Sequence, residues 1–177
     1  MKQFASGHAM QSAWVVDDLD AAVDAWLKVG VGPFFMVEYT PELFEDSTYR
    51  GTPSPISMKI ALAQAGDMQI ELIEPTGEQA NIYRDTVPEG KTAFHHLCYW
   101  TDDLDGEIAS LVGQGYELAA TGTVAGSGAT FAYVDTSPVL GHMTELLTYS
   151  EDIAGLFGMI AEASIDWDGS DPIRPLG

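Results

Sequence analysis

Apolar and polar positions along the chain run through one order of patterns twice. A mostly apolar run of strand length, QSAWVV from residue 11, ends at DDLD (17–20); another, HLCYW from residue 96, ends at DDLD (102–105), an offset of 85 residues. A segment of helical period follows each: Leu19, Ala22, Val23, Trp26 and Leu27 share one face in the first copy, and Leu104, Ile108, Leu111 and Val112 in the second. Asp18 and Asp103 stand where a carboxylate can accept from the free N–H groups of a first helical turn. Gly30 with Gly32 and Gly113 with Gly115 stand where the helices stop. Three strand candidates come next, at 33–39, 57–65 and 67–75 in the first copy and at 116–124, 129–136 and 141–149 in the second.

Each copy therefore reads βαβββ. The fold class this predicts is α+β, two tandem βαβββ modules plus a C-terminal helix. Module 1 covers about residues 8–75, a linker 76–92, and module 2 about 93–149, so that 1–149 is one domain and 150–177 a helix and tail. Residues 40–55, rich in turn formers and without periodicity, read as a loop that lengthens the first copy; a short helix is expected near 80–85. After residue 149, Ser150 can cap a helix with Ile153, Leu156, Phe157 and Ile160 on one face, packed on the domain or on a second subunit.

Polar side chains interrupt the apolar strands at positions the repeat makes comparable. Gln11 and His96 each open the first strand of a module, and Glu71 and Glu145 sit in the last strands, within QIELI and MTELL. A carboxylate flanked by Ile, Leu or Met is costly to bury unless its charge is compensated. Two carboxylates, an amide oxygen and an imidazole suit a divalent ion such as Zn, Ni, Co, Mn or Fe, with coordination positions left for substrate. Each residue also has a plainer reading, a hydrogen-bonded strand histidine or a glutamate facing solvent. By strand parity His8 and His95 point away from Gln11 and His96, and His142 away from Glu145; a slip of one residue would exchange His95 for His96.

Charge narrows the partners. Seven Lys and Arg stand against 27 Asp and Glu, a formal charge of −20. Such a surface repels phosphate backbones and anionic lipid, so no nucleic-acid or membrane partner is expected. One cysteine, Cys98, excludes an intrachain disulfide or a Cys-rich metal site, and its setting suggests an inert core thiol. The N-terminal stretch lacks the apolar run of a signal peptide and no segment is long enough for a membrane span, which makes the cytoplasm the expected location.

The whole, through QSAWVVDDLDAA, MQIELIEP, FHHLCYWTDDLD and GHMTELLTY, resembles the vicinal oxygen chelate superfamily, which includes glyoxalase I, methylmalonyl-CoA epimerase, bleomycin-resistance proteins and extradiol dioxygenases. The resemblance covers about residues 8–149 and implies that the two modules form a curved mixed sheet around a cleft that holds a metal. The set Gln11, Glu71, His96 and Glu145 is similar to the Gln, Glu, His, Glu ligands of one form of glyoxalase I, whereas ring-cleaving dioxygenases use two His and one Glu. What it implies is isomerase, epimerase or lyase chemistry through a metal-bound enediolate on a small carbonyl substrate, with Glu145 as first candidate for the base and Glu71 as second. Seven cationic side chains are few for glutathione or CoA adducts. Tyr49, Arg50, Tyr83, Arg84, Trp100 and Phe131 are candidates for the substrate pocket. The alternative is a non-catalytic protein of the resistance type that sequesters a small molecule. A homodimer is expected, with the cleft closed by modules of one chain or of two.

Overall fold

The structure, a computed structural model, describes residues 4, 5 and 7–176. In the first module β1 (Ala9–Val15) leads to α1 (Leu19–Lys28), β2 (Phe34–Tyr39), then, beyond an insertion holding β3 (Phe44–Tyr49) and β4 (Thr52–Pro53), to β5 (Met58–Ala65) and β6 (Met68–Pro75). After the short α2 (Ile82–Thr86) the second repeats it: β7 (Ala93–Thr101), α3 (Leu104–Gly113), β8 (Glu117–Val124), β9 (Thr130–Asp135), α4 (Ser137–Leu140) and β10 (Met143–Thr148). The chain ends in α5 (Glu151–Ser164) and β11 (Ile173–Pro175). The predicted helix starts hold: Asp18 accepts from the Ala21 N–H at 2.9 Å and Asp103 from the Gly106 N–H at 3.1 Å. No helix among the described residues is long and apolar enough to cross a membrane.

Sheet order shows why the repeat matters. The strands run β2-β5-β6-β1 in one module and β8-β9-β10-β7 in the other, and the two halves join through β1 and β7, which pair antiparallel. Within each module the first and last strands are parallel: Gln11 lies beside Gln69 and Ala13 beside Glu71, just as His96 lies beside Met143 and Cys98 beside Glu145. Across the join Gln11 faces Cys98 and Ala13 faces His96, the pattern an approximate two-fold relation demands. One face of the sheet packs under α1 through Val16, Leu19, Val23, Phe34, Ile70 and Leu72. The concave face holds the larger core, including Leu62, Ile73, Cys98, Tyr133 and Met143.

Two segments outside the repeat cross between modules. The insertion at 40–55, expected as a loop, instead forms a hairpin whose β3 adds to β8, the outer strand of the other module. Its turn, Arg50-Gly51, has positive φ at both residues (45° and 75°), as a tight two-residue hairpin turn requires. Its strand character escapes periodicity because a short edge strand has one face in solvent and takes its partner from a distant module. In return, α5 carries the chain from β10 to pack on β5 of the first module, and β11 then pairs with β2. Ser150 occupies the cap position of α5, but its hydroxyl donates to the Ser127 carbonyl instead of serving the helix.

Candidate functional site

The concave face brings the four repeat-related polar residues to one place. Gln11, Glu71, His96 and Glu145 are each at least 92% buried (relative exposures 4%, 8%, 0% and 7%). His96 Nε2 lies 2.9 Å from a Glu145 oxygen and 3.5 Å from a Glu71 oxygen. Gln11 donates its amide N–H to Gln69 Oε1 at 2.7 Å, which leaves its own oxygen uncommitted. All four come from one chain, so these residues meet without a second copy.

Histidine tautomers follow from the hydrogen bonds behind the site. His95 Nε2 lies 3.1 Å from the Ile82 carbonyl, an acceptor only, so that nitrogen carries the proton. Burial, reinforced by His96, pushes the His95 pKa down to about 3 and keeps the ring neutral, with Nδ1 as an acceptor. His96 Nδ1 sits 2.9 Å from it and must donate. His96 Nε2 is then the ring nitrogen aimed at the two carboxylates, without an aligned hydrogen bond. Three lone-pair donors facing one another are stable only with a proton or a cation among them. Burial and the neighbouring Glu145 hold the Glu71 carboxyl well above the usual carboxylate range.

Sequence parity placed His95 on the opposite face, and here the structure differs. Ala13 faces His96 and Trp14 faces Phe94, so His95 is the extra residue of a bulge in β7. The bulge turns both rings inward, and His95 packs between Tyr83 and Tyr133 at ring distances of 5.3 and 6.2 Å. His96 keeps the position aligned with Gln11. Cys98 is a buried thiol as expected, yet it stands beside Glu145 and hydrogen-bonds it; burial and that carboxylate push its pKa far up. His142 lies outside the site, against Phe94 and the Met143 carbonyl.

Above these residues opens a cleft bounded by Gln11, Glu71, Glu145, Tyr39, Tyr83, Phe131 and Tyr133, with Phe44 from the insertion and Ile153, Leu156 and Phe157 from α5. Of the predicted pocket residues, Tyr83 and Phe131 line it. Tyr49 borders a neighbouring hollow. Arg50 is held by Glu117 (2.6 Å), Asp85 (2.8 Å) and Asp135 (3.4 Å), and Tyr49 also donates to Asp85. Arg84 points to the Pro88 carbonyl, and Trp100 supports Phe157 from outside the cleft. Sequence reading missed Gln69, whose amide nitrogen is buried without a partner, and Tyr39. The alternation QIEL, which puts Gln69 on the face of Glu71, was the available clue.

A divalent ion is tested by these donors. Among the described residues no three His, Cys, Asp or Glu side chains form a preformed metal cage. Glu71, His96 and Glu145 touch instead of surrounding a space. Their spacings of 2.9 and 3.5 Å are nonetheless close to the roughly 3–3.4 Å expected between donors bound at about 2.1 Å to one ion. A metal binds an imidazole through an unprotonated nitrogen, and the His95 contact at Nδ1 leaves Nε2 as the His96 atom facing the carboxylates. The donor set fits the group.

Two βαβββ modules sharing one sheet, with polar residues of both meeting on its concave face, define a paired-module cleft protein. The chain belongs to the glyoxalase/bleomycin resistance protein/dioxygenase superfamily, whose family model matches residues 10–133. The fold is similar to that of methylmalonyl-CoA epimerase from Mycobacterium tuberculosis (17% identity, 88% of this chain and 95% of that one, TM-score 0.58). It is also similar to a hypothetical protein from Bacillus halodurans (18%, 81% and 95%, TM-score 0.58). A variant of Streptomyces coelicolor methylmalonyl-CoA epimerase in complex with 2-nitronate-propionyl-CoA aligns at 18% identity over 78% of this chain and 94% of that one, with a TM-score of 0.50. At these identities the likeness is one of fold. No curated protein matches the chain in sequence.

Proposed function

We propose that this chain is a metal-assisted epimerase or isomerase that removes and returns a proton beside the carbonyl of a small substrate. The observation that carries the reading is His96 Nε2 held between Glu71 and Glu145, the two carboxylates that line one cleft. Gln11, Glu71, His96 and Glu145 would hold a divalent ion, which when bound supplies Lewis acidity that polarises a carbonyl and acidifies the adjacent C–H. Glu145 is the base of choice, with the Cys98 thiol as its hydrogen-bond donor. Glu71, its counterpart in the other module, has a pKa raised by burial and by Glu145, which favours its holding a proton and returning it. Tyr39, Tyr83, Phe131 and Tyr133 wall the cleft and keep water from the reacting carbon.

The test has two parts. Chelator-stripped protein titrated calorimetrically with Zn²⁺, Ni²⁺ and Mn²⁺ should take one ion per chain, and His96→Ala should abolish uptake. A panel of small α-hydroxy and α-methyl carbonyl compounds in D₂O should show deuterium entering one of them, with the rate lost in Glu145→Gln. Absence of ion uptake and of exchange would overturn the reading. The second reading, a metal-free protein that sequesters a compound in the same space, is favoured by the largely apolar cleft; it predicts binding with no ion and no exchange.

A further inference from the structure

We propose that the cleft admits an uncharged, largely apolar carbonyl compound and excludes anionic adducts such as CoA or glutathione thioesters, with Phe44 and Phe157 setting that selectivity. This rests on reading the cleft as the reacting site, and it names the substrate class that reading leaves open.

Charge placement is the first argument. None of the described cationic side chains lines the cleft. Arg50 is already bound by three carboxylates, Lys59 lies 3.9 Å from Glu74, and Arg84 reaches the Pro88 carbonyl. The floor carries two carboxylates; a divalent cation would bring them to neutrality and leave no net positive charge for a phosphate or a glutathione carboxylate. An anionic tail would enter desolvated and unpaired, which disfavours its binding.

The walls are the second argument. Met58, Ile60, Leu62 and Leu147 form the sides, and the segments outside the repeat add Phe44 and the apolar face of α5 as a roof. Phe44 is fixed edge-on to Phe131, with centroids 5.9 Å apart, and tilted on Tyr39 at 5.4 Å. Phe157 is backed by Trp100 at 5.8 Å. The neutral hydrogen-bonding groups on the cleft are the Gln11 amide and tyrosine hydroxyls, with burial raising the pKa of Tyr83 and Tyr133. They suit a carbonyl or hydroxyl oxygen on a hydrophobic frame.

The experiment uses two probes of one ring skeleton, neutral N-phenyl-1-naphthylamine and its sulfonated relative 8-anilinonaphthalene-1-sulfonate, titrated by fluorescence into the full-length, metal-free protein. The neutral probe should bind about tenfold tighter or more. Phe44→Arg should bring the two affinities together or invert them, Phe157→Ala should weaken the neutral probe several-fold while its circular dichroism stays that of the folded chain, and propionyl-CoA should fail to displace it. Equal or tighter binding of the sulfonate, displacement by propionyl-CoA, no binding of the neutral probe, or indifference to both substitutions would overturn the proposal. Because neither metal nor turnover enters the measurement, failure of ion uptake or proton exchange overturns the catalytic reading alone.

Discussion

His95 and His96 are neighbours in sequence, yet their Nδ1 atoms face each other at 2.9 Å, because a bulge in β7 abolishes the alternation that would send them to opposite faces. The pair fixes a direction. The Ile82 carbonyl orients His95, His95 orients His96, and His96 Nε2 meets the carboxylates. His95→Phe keeps the packing against Tyr83 and Tyr133 but removes the acceptor for His96 Nδ1–H. Zinc affinity measured by calorimetry should fall about 10- to 100-fold while circular dichroism stays that of the folded chain. His95→Asn, which retains an acceptor, should recover part of the loss.

Arg50 occupies a left-handed position (φ 45°) that glycine or asparagine would take with less strain, and three carboxylates hold it there. The side chain is 31% exposed, so solvent screens these pairs and the cluster contributes on the order of 1–2 kcal/mol. Arg50→Ala should lower stability by about that amount in urea unfolding and raise hydrogen exchange in β3 and β4. Arg50→Gly should lose less, since the strain goes with the ion pairs.

Alkaline stability should register Tyr39. Burial, then the Glu71 charge, pushes its pKa up to about 12 from the ordinary 10. The unfolded chain therefore ionises this phenol first, and between these two values it binds fewer protons than the native state. Stability falls as pH rises through that window, with up to about 3 kcal/mol lost by its upper end. Tyr39→Phe should unfold in urea with a shallower decline above pH 10 than the native sequence.

Gly122 pairs with Phe131 across β8 and β9, and a Cβ there would come within 2.6 Å of the Phe131 ring. Gly122→Ala must displace that ring, which forms part of the cleft wall. Neutral-probe affinity should drop several-fold with a stability loss of about 1–3 kcal/mol. Unchanged affinity would show that Phe131 shifts without disturbing the cleft.

Much of this arrangement was legible from local pattern. The DDLD strings, the capping aspartates and the position of Glu71 and Glu145 in their strands depend on neighbours a few residues away, and the repeat itself aligned Gln11 with His96. The bulge at His95, the pairing of β3 with β8 and the placement of α5 over the cleft depend on contacts between distant segments. An apolar helix face announces that it will be buried but not against what, so Ile153, Leu156 and Phe157 could be assigned to packing and not to a cleft roof.

By itself, the sequence determined that two like modules exist, which strand positions carry carboxylates, and that few cations are available, because periodicity, capping and charge are properties of short stretches or of the whole count. The tertiary structure alone decided that these polar groups meet, that His96 turns its Nε2 toward them, and that the described cations lie outside the cleft. Those facts depend on register and on the join of β1 to β7, where residues 85 positions apart are drawn into one site by pairing that no local pattern encodes.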